Sequence, residues 1–194
     1  MQPHHTTRSG LSTMSKGKGS EKLYSSRIDL SEKVRSEMTQ LLNESLASTL
    51  DLWTQIKQAH WNVKGKEFYQ YHLLFDQIAG EVYEYIDMIA ERVTALGGVA
   101  NGTTRMAAEH SALKEYPSDL VHGEEHVAAL ADRLAAYGKH VRAGIEKAGS
   151  ADADTADLYT EISRTIDQRL WFLESILVGG KFEAKSGELA GSRH

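Results

Sequence analysis

No cysteine occurs anywhere in the 194 residues. Disulfide scaffolds, thiolate nucleophiles, Cys-ligated zinc fingers and iron–sulfur clusters are therefore excluded. Proline is almost as scarce. With only Pro3 and Pro117 present, none interrupts a helix between Leu23 and Tyr116 or from Ser118 onward. No apolar run approaches the roughly 18 residues that a membrane span requires, and the N-terminus lacks the continuous apolar core of a secretory signal. A basic balance is missing too. Lys and Arg total 22 against 27 Asp and Glu, a net charge of −5, which argues against a body that holds nucleic acid by overall charge. Strand signals are absent. These lacks lead to the expectation of a cytoplasmic, all-α protein.

Apolar periodicity supplies the helices. Residues 1–22 contain ten Gly, Ser and Thr and almost no periodicity, and read as a disordered arm. Arg8, Lys16, Lys18 and Lys22 against Glu21 give the arm +3 and leave about −8 for the rest of the chain. Residues 23–179 read as the folded domain and 180–194 as a flexible C-terminal tail. Ser31 is the expected cap of a first helix, in which Val34, Met38, Leu41, Leu42, Leu46, Leu50, Trp53, Ile56 and His60 recur at spacings of three and four. After Gly65, Phe68 to Leu96 continue the same stripe until Gly97-Gly98 ends it. A link of 21 residues follows, with a short helix expected at Thr104–His110. Ser118 is the expected cap of a third long helix, carrying Leu120 to Ile145 inward and broken at Gly149-Ser150. A fourth is expected after the acidic stretch Asp152–Asp157, running from Leu158 to Gly179-Gly180. Four long helices with one long crossover suit a ferritin-like four-helix bundle.

His60 and His72 stand out because both fall on apolar stripes rather than wet faces. Taken singly, each could be a satisfied core histidine. Asp76 follows His72 by four residues, and Asp87 and Glu91 form a second such pair, so all four fall on one side of the helix. Two imidazoles with three carboxylates suit iron or zinc. Asp76 and Asp87 lie about 16 Å apart along the axis at 1.5 Å per residue, too far for one ion. Two copies of this helix, antiparallel about a two-fold axis, would join each half-site to the other half from a partner. The bland alternative leaves Asp87 and Glu91 as surface charges beside Arg92.

The run Lys57-Gln58-Ala59-His60-Trp61-Asn62-Val63-Lys64-Gly65, then Phe68, His72 and Asp76, Asp87-x-x-x-Glu91-Arg92 and Leu96-Gly97-Gly98, resembles the Dps family of mini-ferritins. The similarity continues through Gly102-Thr103-Thr104, Tyr116-Pro117, Asp154–Asp157 and Trp171-Phe172-Leu173-Glu174, covering Tyr24 to Leu177. The resemblance implies a hollow homododecamer with ferroxidase sites at its dimer interfaces. His60, His72 and Asp76 would come from one subunit and Asp87 and Glu91 from the other. It implies oxidation of Fe(II) by hydrogen peroxide or oxygen, storage of Fe(III) mineral, and zinc as a substitute ion in the site. Trp61 matches a site-proximal tryptophan with an electron-donor role, or else is an aromatic anchor. By the same resemblance Asp157, and less so Asp152, line an iron-entry pore, whereas Asp and Thr before a helix ordinarily serve as caps.

Binding of DNA is a separate expectation. A body near −8 repels the duplex, so the Arg8, Lys16, Lys18 and Lys22 arms would have to hold it, multivalently and without sequence preference. The alternative is a plain solubilising tail. A cage that coats DNA with little iron turnover is the second functional reading, and a bundle without metal chemistry the third. His122-Gly123-Glu124-Glu125-His126 fits an inverted zinc-peptidase pattern without a third ligand, and His4-His5 reads as incidental.

Overall fold

The computed structural model describes residues 22–179. Among the described residues there are five α-helices: α1 (Glu32–Asn62), α2 (Phe68–Ala95), α3 (Thr104–His110), α4 (Gly123–Ala148) and α5 (Ala153–Leu177). Neither the arm residues Arg8, Lys16 and Lys18, nor His4-His5, nor the tail 180–194 lie among the described residues. Lys22 does; its ammonium sits 4.5 Å from the centre of the Tyr24 ring.

Local chemistry sets the helix ends. Ser31 Oγ accepts the Val34 N–H at 3.3 Å, with Glu32 in the first turn, so α1 starts where expected. Gly65, at φ 114°, turns the chain through a conformation cheap only for glycine, and α2 returns antiparallel along α1. α4 and α5 form a second hairpin, and the two pairs meet mainly through α1 and α4. Leu42, Leu52 and Ile56 face Phe75, Ile78 and Ile89, while Leu130, Leu134, Ile162, Ile166 and Leu173 fill the other side, all fully buried. Among the described residues no helix is long and apolar enough to cross a membrane.

The crossover between α2 and α4 is fastened by polar side chains of α1. Asn43 binds both the Val99 carbonyl and the Asn101 N–H. Further along, Ser48 accepts from Ala112, Asp51 from Ser111, and Gln55 donates to the Lys114 carbonyl. Buried loop groups must find partners, and α1 supplies them.

Two expected boundaries are corrected. Ser118 does not cap α4, which begins at Gly123; Ser118 and the half-buried Leu120 precede it. The Glu125 carboxylate accepts the N–H groups of Val121 and His122 and so fixes the true start. Gly123 is required there, since a Cβ would stand 2.2 Å from the Tyr71 ring. α5 begins before the end of the acidic stretch, at Ala153, which places Asp154 and Asp157 inside it.

Candidate metal centre

His60 ends α1 and His72 opens α2, so the short hairpin turn brings them face to face. Their rings stack with centroids 3.8 Å apart. Each ring bonds the other's backbone: His60 Nδ1 to the His72 carbonyl at 2.8 Å, and His72 Nδ1 to the His60 carbonyl at 3.0 Å. A carbonyl can only accept, so both Nδ1 atoms carry the hydrogen. Both Nε2 lone pairs are thereby free, the arrangement a metal-binding imidazole needs. Asp76 Oδ1 lies 3.8 Å from His60 Nε2, close enough for one cation to bond both at about 2.1 Å.

Lys57 also belongs to this corner, and its role was not anticipated. Its ammonium donates to Asp76 Oδ1 at 2.7 Å, and that bond holds the Asp76 carboxyl below the usual carboxylate range. Lys57 lies one turn before His60 on the same face of α1, a spacing that could have flagged it. It is also 5.8 Å from the ring of Trp61, which is 65% exposed beside the site.

Asp87 and Glu91 do not join this corner. Both are exposed, three turns further along α2, and among the described residues no three His, Asp or Glu side chains gather closely enough to hold a metal ion. Arg92 does not neutralise them. Its guanidinium turns to Asp152, bonding both carboxylate oxygens at 2.8 and 2.6 Å, while its Nε donates to Thr155. Asp152 is therefore buried and committed to an internal ion pair, whereas Asp157 is exposed. The peptidase-like pattern is dispersed too, with Glu125 spent on capping and His126 buried against Tyr116.

Asp152 makes an acid-sensitivity prediction. Burial alone would raise its carboxyl pKa, but hydrogen bonds from Thr155 and Arg92 outweigh burial and hold it down. A depressed carboxylate contributes stability above its unfolded value of about 3.9, and that contribution is lost as pH falls through the folded value. Asp152→Asn is expected to lower stability at neutral pH and flatten its decline below about pH 4, read from denaturant midpoints across that range.

The ferritin-like domain family matches residues 39–181. The DNA protection during starvation protein of Agrobacterium fabrum is 39% identical over 155 residues, spanning 79% of this chain and 96% of that protein. The chain belongs to the Dps family. Among solved structures of that family, DpsC from Streptomyces coelicolor superposes with a TM-score of 0.77 at 33% identity, covering 80% of this chain and 92% of that one. Mycobacterium smegmatis Dps gives 0.78 at 28% identity, covering 82% and 98%.

Proposed function

We propose that this Dps-family protein is a ferroxidase and iron-storage cage, a homododecamer whose iron-oxidising sites lie between subunits. One observation carries the reading: the single exposed face of α2. At about 100° per residue, Tyr69, Leu73, Asp76, Gly80, Tyr83, Asp87 and Glu91 fall within about 80° of one another, and all are exposed. An antiparallel two-fold centred between residues 81 and 82 sets Asp76 opposite Asp87 of the partner subunit. The same register sets His72 opposite Glu91 of the partner subunit, and Gly80 opposite Tyr83 of the partner subunit. One pairing thus supplies two imidazoles and three carboxylates to each site, with a glycine facing an aromatic ring.

Iron is substrate and cargo. His60, His72 and Asp76 would hold one side of an Fe(II) site, with Asp87 and Glu91 of the partner subunit completing it, and Lys57 would leave Asp76 as the ion enters. Hard carboxylate oxygens favour the ferric product. Two ferrous ions reduce one hydrogen peroxide to two waters, so no hydroxyl radical leaves the site; oxygen is the other oxidant. Zinc would occupy the same donors without turning over. Asp157, exposed on α5, is the carboxylate proposed for iron entry, and Trp61 the proposed electron donor beside the site.

The test is anaerobic addition of Fe(II) to metal-free protein, then peroxide, with ferric absorbance followed. Oxidation far faster than in buffer, consuming two Fe(II) per peroxide, is expected. A rate no faster than buffer would leave the second reading, a cage that coats DNA.

The relatives named for DNA protection favour a DNA role alongside. The cationic arm bearing Arg8, Lys16, Lys18 and Lys22 is the segment proposed to bind, without sequence preference. Deleting residues 1–22 is expected to abolish the DNA gel shift and leave iron oxidation unchanged; a retained shift would place DNA binding elsewhere.

A further inference from the structure

Toward the same end of α1 as the candidate iron site lies a tyrosine–histidine pair that is hydrogen-bonded as well as packed against the core. Tyr116, near the end of the crossover, and His126, in the first turn of α4, approach to 2.7 Å between the phenol oxygen and Nδ1. Two contacts place them close to the site. The crossover is fastened two residues earlier, where the Lys114 carbonyl accepts from Gln55, about a turn and a half before His60 on α1. The start of α4 presses on Tyr71, the neighbour of His72. The pair and the half-site therefore lie toward the same end of α1.

Proton positions in the pair follow from counting partners. If His126 Nδ1–H donated, both the phenol hydrogen and Nε2 would lack a protein partner. If the phenol donates, only Nε2 falls short of a full hydrogen bond, and the Leu120 carbonyl faces the ring to take its N–H. The second arrangement strands fewer groups, so the phenol hydrogen points at an imidazole lone pair. His126 is 2% exposed, and burial lowers its pKa, favouring the neutral ring able to accept that proton. A phenol is a poor one-electron donor unless its proton has somewhere to go as the electron leaves, and here the acceptor is already in contact.

We infer that Tyr116, with His126 as its proton acceptor, is a one-electron reserve for the iron site, used when peroxide arrives at a site holding a single ferrous ion. The inference rests on the ferroxidase reading. Reduction of hydrogen peroxide to two waters breaks the O–O bond and consumes two electrons and two protons. One ferrous ion supplies one electron and becomes ferric. Tyr116 supplies the other and becomes the neutral phenoxyl radical, its proton passing to His126 Nδ1, while two solvent protons complete the waters. A later ferrous ion reduces the radical, the proton returns from His126, and the sum is again two Fe(II) per peroxide. A singly loaded site would otherwise release the second equivalent as hydroxyl radical.

The experiment uses the full-length protein carrying Trp61→Phe, so that a trapped radical is a tyrosine's. It is loaded anaerobically with one Fe(II) per site, mixed with peroxide and frozen for electron paramagnetic resonance; ferric absorbance and spin-trapped hydroxyl radical are followed in parallel. A tyrosyl signal is expected, lost when Tyr116→Phe is added, with spin-trapped hydroxyl rising in its place. Full two-iron turnover should be the same in both proteins. His126→Asn, whose amide oxygen takes the place of Nδ1 but is too weakly basic to hold the proton, should lose the signal with Tyr116 still present. A tyrosyl signal that survives Tyr116→Phe, or no signal at all while iron oxidises normally, would overturn the reserve. Absence of iron oxidation in the Trp61→Phe parent and in unsubstituted protein would instead sink the ferroxidase reading beneath it.

Discussion

Replacing either His60 or Asp87 with alanine is expected to slow peroxide-driven iron oxidation by more than tenfold, the loss that disturbing even the groups behind a metal ligand brings (about 10–100-fold). Neither change should unfold the bundle. Asp87 is exposed, and His60 is held to its neighbour largely through the His72 backbone. The informative step is to mix the two variants, dissociate them and let them reassemble. In a mixed dimer one site receives both altered halves and the other receives none. Random pairing thus restores about a quarter of the wild-type sites. Recovery to that level would establish sites completed across the two-fold. A mixture as slow as its parents would show that His60 and Asp87 do not serve one site across it, and the α2 register would have to be abandoned.

Removing Glu81 is expected to cost substantial stability, because it strands a buried guanidinium. Arg169 of α5 is 7% exposed and gives two hydrogen bonds to the two Glu81 oxygens on α2, one of them Nε to Oε2 at 2.6 Å. Glu81→Leu leaves that guanidinium in the packed interface without a counter-charge, and breaking a buried pair this way costs about 3–5 kcal/mol. Because Glu81 is itself 29% exposed on its side chain, the lower end, ~3 kcal/mol, is expected. For a chain of this size that is a fall in Tm of about 6–12 °C. Replacing both partners with methionine should recover most of it, since the penalty comes from the stranded charge rather than the lost bond. Thermal unfolding of the wild type, the single variant and the double variant decides this. A double variant no better than Glu81→Leu would mean the pair contributes stability outright.

Much of this was legible in the sequence. The helix pairs, the short α3 and the turn bearing the two histidines follow from apolar spacing, Ser31 and the glycines, because each depends on chemistry within a few residues. The start of α4 does not. Ser118 is a good cap by type, but a capping box at His122, four residues later, and a ring from α2 needing a bare Gly123 decide the matter. For the same reason Asp152 reads as one acid among several until Arg92, 60 residues away, reaches it. The meeting of His60 and His72 follows from two apolar stripes joined by a short turn, whereas Lys57 on Asp76 needed the fold.

The crossed bonds between the His60 and His72 rings and backbones bear on how quickly an ion can be captured. Neither imidazole can swing without freeing the other's carbonyl, so folding the hairpin has already spent the rotational entropy that a loosely held ligand would lose on binding. The two rings should therefore sit alike with and without metal, and the adjustment on loading should fall on Asp76 and Lys57. In metal-free protein at neutral pH, nitrogen-15 spectra should already report a single Nδ1–H tautomer for both rings.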